Sequence, residues 1–146
     1  MSLFTFAAFA MGNAPAVSLQ GGTITSIVTD PSNAEAGIRV NATGILEQFI
    51  TPSWTQLASG TDWIRPTYLA SSDYDCRVTN VVGTAFTTAS AADDVWIDCG
   101  TTRQWRLFNG DVGTLTVTFD LEIRDPAGAT VASTSYTLTS IVDPAG

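Results

Sequence analysis

The sequence predicts an all-β fold, an antiparallel β-sandwich entered by an extended apolar N-terminal arm, and three observations carry that expectation. First, from Gly113 to Arg124 the residues Leu115, Val117, Phe119, Leu121 and Ile123 alternate with Thr116, Thr118, Asp120, Glu122 and Arg124. Strand side chains point to opposite faces in turn, so this spacing gives one dry and one wet face, whereas a helix would scatter the same apolar groups around its cylinder. Second, turn chemistry recurs at Asp30-Pro31-Ser32-Asn33, Asn109-Gly110 and Asp125-Pro126-Ala127-Gly128. It divides the chain into about eight or nine short strand patterns at the spacing of a sandwich. Third, no window carries a helical period.

The elements follow in order. Thr23 to Thr29 is the first strand pattern and stops at Asp30-Pro31. Ala36 to Asn41 and Ile45 to Phe49 flank Ala42-Thr43-Gly44, which reads as a hairpin with glycine where a positive φ is needed. Pro52 and Gly60 bracket a segment carrying Trp54, and Pro66 follows Trp63. Tyr74 to Val81 alternates, Val95 to Cys99 is short, and Gln104 to Phe108 runs into Asn109-Gly110. After the Gly113 strand the chain turns into Thr130 to Val142, where Ala132, Thr134, Tyr136 and Leu138 share a face. The division expected is an arm over residues 1–22 and a sandwich domain over 23–146.

A chain of 146 residues makes one domain, burying roughly 68–70% of the surface its unfolded form exposes, so no disulfide or metal is needed to stabilise it. All six basic residues are Arg, set against fourteen Asp and Glu, for a formal net charge of −8. An acidic surface repels phosphate backbones and anionic lipid, so neither nucleic acid nor membrane is an expected partner. The chain has no His and no Gly-x-Ser-x-Gly elbow, which excludes a Ser-His-Asp hydrolase, and a zinc site would have to rely on two cysteines and carboxylates. No enzyme activity, metal or cofactor is expected. Cys76 and Cys99 sit at apolar-phase positions; two cysteines fall far below the density of a disulfide scaffold, and the favoured reading is a pair of buried free thiols.

The stretch Met1 to Met11 is the most apolar part of the chain, with three Phe and no charged side chain. It lacks the basic n-region of a signal peptide and is shorter than the roughly 18–20 apolar residues that span a bilayer. Leu3, Phe4, Phe6, Phe9 and Met11 therefore read as an arm that buries its side chains against a partner or another copy.

Tyr74 lies two residues before Cys76 at the start of a strand pattern, a spacing that resembles the tyrosine corner of immunoglobulin-like sandwiches. The architecture expected is accordingly immunoglobulin-like. The usual inter-sheet disulfide does not carry over, because Cys99 follows Cys76 instead of preceding it. Asp73, Asp75, Asp93, Asp94 and Asp98 form an acidic group without the loop spacing of a calcium site or the paired carboxylates of a glycosidase, and read as a solvated edge. Trp54, Trp63, Trp96 and Trp105 fit a core or a carbohydrate-stacking surface. Trp96 is out of phase with Val95, Ile97 and Cys99, faces outward on this reading, and is the interface candidate within the sandwich.

Four stretches together, Ala36-Gly-Ile-Arg-Val-Asn41 with Thr43-Gly44, Thr61-Asp-Trp-Ile64 with Pro66, Tyr74-x-x-Arg-Val-Thr-Asn80, and Leu121-Glu-Ile-Arg124 before Ala129-Thr-Val-Ala132, resemble small β-rich virion proteins encoded by tailed bacteriophages. The resemblance implies a structural protein of the virion, and small size, a single domain, acidic charge and the absence of catalytic motifs make a capsid decoration or cement protein that binds the outer surface of the major capsid protein shell the leading expectation. With that expectation go assembly in the host cytoplasm and a homo-oligomer, a trimer. A tail or tail-fibre component is the alternative within the virion. A secreted carbohydrate-binding module using the tryptophans is the alternative of another class.

Overall fold

The computed structural model describes residues 17–30, 34–57, 62–64 and 70–144. Ten strands form two five-stranded sheets: β1 Gly22–Val28, β2 Ala34–Val40, β3 Leu46–Ile50, β4 Ser53–Gln56, β5 Asp75–Gly83, β6 Thr88–Ala89, β7 Ile97–Asp98, β8 Arg103–Asn109, β9 Gly113–Arg124 and β10 Thr130–Val142. One sheet runs β1-β10-β9-β5-β7 and the other β4-β3-β2-β8-β6. A single 3₁₀ turn at Ser71–Asp73 is the only helical element among the described residues. The all-β sandwich expected from the alternation is therefore the fold.

Alternation places the core. Val117, Phe119, Leu121 and Ile123 of β9 are fully buried, while Thr114, Thr116 and Thr118 on the other face are exposed. Leu115 is half-buried and packs at the margin of the same cluster. Phe119 is central: Phe86 meets its ring edge-on at 5.1 Å and Tyr136 stacks on it at 5.7 Å. Against this layer the second sheet packs Ile38, Val40, Leu46, Trp105 and Leu107. Trp63 closes one end, donating from Nε1 to the Asn41 carbonyl at 2.9 Å with its ring edge-on to Tyr74. Val17 and Leu19, ahead of the first strand, also pack against this core.

The turns form for the reasons their residues suggest. In the β2–β3 hairpin Asn41 Oδ1 accepts from the Thr43 amide at 2.8 Å, and Gly44 takes φ +96°. A Cβ there would fall 2.6 Å from Ile64 Cγ2, so glycine is required twice over. Asp125 Oδ1 accepts from the amides of Ala127 and Ala129 and closes the β9–β10 turn. Asn109 does more than turn the chain: its buried side chain donates to the carbonyls of Gly113 and Ser140, tying the β8–β9 connection to β10.

The strand pairing departs from the antiparallel expectation at one place. β1 pairs with β10 in parallel, Gly22 opposite Tyr136 through to Val28 opposite Val142. Nearly the whole chain separates these two strands, so no hairpin dictates their direction. The short strand β6, paired with β8, lies in a stretch without strand alternation and was not expected.

Cys76 and Cys99 are both fully buried free thiols. Cys76 lies opposite Ile97 on β7, and the Cys99 amide donates to the Tyr74 carbonyl at 2.9 Å, which makes the two cysteines diagonal neighbours on the inner face. A hydrogen bond to the Cys76 side chain and burial both push the Cys99 thiol far above its ordinary range.

Candidate functional site

The outer faces of the two sheets carry the same device, a tryptophan against two arginines that are each paired with a carboxylate. On the second sheet, register builds it. Trp54 of β4 lies opposite Phe49 of β3, Phe49 opposite Gly37 of β2, Gly37 opposite Arg106 of β8, and Arg106 opposite Thr88 of β6. These residues form one row across the sheet. Phe49 and Trp54 meet edge-on at 5.3 Å. Arg106 then reaches over the row, its Cζ 4.8 Å from the Phe49 ring and 5.7 Å from the Trp54 ring, while Arg39 stacks on Trp54 at 4.1 Å. Gly37 makes this possible. A Cβ at that position would lie 3.0 Å from Arg106 Cγ, 3.1 Å from the Trp105 carbonyl oxygen and 3.4 Å from Phe49 Cβ.

Both guanidiniums are fixed by acids of the same face. Arg106 pairs with Glu35 at 2.6 Å and Arg39 with Glu47 at 2.8 Å. Partial burial opposes ionisation of Glu47, but the hydrogen bonds from Arg39 and Asn41, together with the charge of Arg39, outweigh it and hold the carboxyl below its ordinary value. All four side chains of these pairs are partly covered, so the pairs set geometry more than they add stability.

On the first sheet, Trp96 comes from the loop before β7 and lies against β5 and β9. Arg77 and Arg124 stand 4.6 and 4.4 Å from its ring. Arg77 pairs with Glu122 at 2.6 Å and Arg124 with Asp75 at 3.0 Å, each acid directly across the β5–β9 ladder from its arginine. Trp96 thus sits on the outer side of the sheet, half-buried by the two guanidiniums. Beside this cluster Asp120 accepts from Ser135 and Asn80, and these hydrogen bonds lower its pKa.

The remaining expected residues separate. Trp63 and Trp105 are core. Leu3, Phe4, Phe6, Phe9 and Met11 lie outside the described residues. The acidic group is dispersed into local roles: Asp73 accepts from the Ala70 amide, Asp75 pairs with Arg124, Asp94 accepts from the Thr79 hydroxyl, and Asp98 accepts from the Gly100 amide. Among the described residues no group of three or more His, Cys, Asp or Glu is placed to hold a metal, and no helix is long and apolar enough to cross a membrane. Sequence reasoning missed the cluster formed by the Trp54, Phe49 and Arg106 row and the neighbouring Arg39. Its one local signal was that Arg39 and Phe49 both stand on the polar phase of their hairpin, where an aromatic is out of place.

Both clusters present Trp and Arg, residue types that dominate the energetics of protein interfaces, with the charged groups held in place before any partner arrives. Comparison with protein-family models, with curated proteins and with solved structures found no match to this chain.

Proposed function

We propose that this protein is a structural component of a tailed-phage virion, a decoration protein that binds the outer surface of the major capsid protein shell. The observation that supports a binding role is the Trp54 face: an ordered row of aromatic and guanidinium groups across four strands, its charges neutralised in place. The resemblance of the four sequence stretches to small virion proteins supplies the assembly. On this reading the apolar residues Leu3, Phe4, Phe6, Phe9 and Met11 anchor the chain to the shell, and Trp96 marks a second contact.

The test is electron cryo-microscopy of purified particles combined with a particle-binding assay. Density for the sandwich on the outside of the shell is expected, and Trp54→Ala is expected to lower occupancy while leaving the circular dichroism unchanged. Density confined to the tail would make the protein a tail or fibre component instead, and absence from particles would overturn the virion reading altogether.

A further inference from the structure

The four edges of the two sheets are not alike. β6 and β7 are two residues long, and β4 is four residues long and begins directly after Pro52. Shortness and proline are the ordinary means by which a sheet edge is kept from pairing with another chain. β1 has neither. It runs seven residues, Gly-Thr-Ile-Thr-Ser-Ile-Val, without Pro, Lys or any charge, and among the described residues no strand lies beyond it. Its neighbour β10 adds thirteen residues that also lack Asp, Glu, Arg and Lys.

The main-chain groups on that edge can be assigned. The Val28 carbonyl accepts from the Asp143 amide, so Val28 and the residues in phase with it direct their hydrogen bonds toward β10. Thr23, Thr25 and Ile27 therefore direct theirs outward. The side chains of these same three residues lie on the outer face, where Thr23 aligns with Thr137 and Thr118, and Thr25 with Thr139 and Thr116. Ile27, beside Ile141, is 64% exposed. In a molecule with a net charge of −8 the two strands of this edge are themselves uncharged, with Asp30 and Asp143 just beyond their ends.

We propose that β1 is a self-association edge, on which a second copy of this chain adds its own β1 antiparallel across a two-fold axis at Thr25. Charge leaves this edge open to a second copy. Two copies of an acidic chain repel wherever their carboxylates meet, and at this edge none face each other. With Thr25 opposite Thr25 of the second copy and Thr23 opposite Ile27, the outward-facing groups exchange about six main-chain hydrogen bonds, and the two sheets become one. A single strand edge covers less than the roughly 800 Å² per partner of a stable interface, so the dimer depends on concentration. It is a two-fold contact, unlike the trimer expected from the sequence. It also stands independently of the virion proposal.

Sedimentation of the full chain over a concentration series, with hydrogen exchange followed residue by residue, tests this. The mass should rise from 15.4 kDa toward twice that value, and the amides of Thr23, Thr25 and Ile27 should slow together as it does. Thr25→Lys, which sets like charges opposite each other across the axis, should hold the protein as a folded monomer. Thr23→Glu and Ile27→Lys should each weaken the dimer, and the double variant should restore it, because in this register each new Glu faces a new Lys. A monomer at every concentration, fast exchange of those three amides throughout, a dimer indifferent to Thr25→Lys, or a double variant no better than the singles would overturn the proposal.

Discussion

The Trp54 cluster and the Trp96 cluster use the same parts and obtain them by different routes. Trp54 is positioned by strand register, with Phe49, Gly37 and Arg106 following one another across neighbouring strands, so its surroundings are set by the backbone ladder of the whole sheet. Trp96 arrives on a loop ahead of a two-residue strand and is held by two arginines whose acids face them across a single ladder. The first cluster also has an aromatic partner and a glycine notch, whereas the Trp96 ring is held by two guanidiniums. The difference shows how rigidity is inherited. A side chain on a strand paired into a ladder moves with that strand, even at the sheet edge where Trp54 stands, whereas one on a loop is held only by what it touches.

That contrast can be broken from the core outward. Phe119→Ala removes the ring on which Phe86 and Tyr136 converge and should cost roughly 3–5 kcal/mol in denaturant unfolding. It should loosen both faces together, erasing the distinction. Gly37→Val acts on one face only: its branched side chain drives into Arg106 and the Trp105 carbonyl, so about 1–3 kcal/mol of stability should be lost, and Trp54 fluorescence should change while Trp96 keeps its environment. Removing the rings themselves sharpens the comparison. Trp54→Ala forfeits an edge-on aromatic contact and two cation–π contacts and should cost about 2 kcal/mol, against about 1 kcal/mol for Trp96→Ala, measured as shifts of the urea midpoint.

The smallest effect lies in the acids. The carboxyl of Glu47 is held below its ordinary value of 4.5, so its contribution is present above that pH and is lost as pH falls through the lower, folded value. Glu47→Gln should therefore flatten the loss of stability below about pH 4.5 by roughly 0.5 kcal/mol, since the pair is largely screened. Unfolding titrations of the two proteins between pH 6 and 3 would show whether their curves converge on the acid side.

Much of the fold was legible because it is written locally. The β9 strand, the Asn41–Gly44 hairpin turn and the Asp125–Gly128 turn each depend on residues within a few positions of one another, and the sequence expectation for each matches the structure. The parallel pairing of β1 with β10 was not legible, because its register depends on strands at opposite ends of the chain. The same holds for the Trp54 row. Arg39 and Phe49 belong to one hairpin, but Arg106 joins them only through the β2–β8 ladder, and no spacing within either segment announces that neighbour. Trp96 was legible as an outward residue from its phase, while Arg77 and Arg124, which hold it, come from two separate strands.

The parallel clasp between the first and last strands gives the domain a direction in which it resists force. Because Val28 and Val142 lie at the same end of the ladder, tension applied through Gly22 at one end and Val142 at the other runs along both strands in opposite senses. The bonds of all seven paired residues are then loaded in shear at once, instead of opening one after another as in the peeling of a hairpin. A sandwich tied in this way transmits tension from its leading strand to its trailing one as a mechanical link, with its hydrophobic core shielded until the whole ladder gives way.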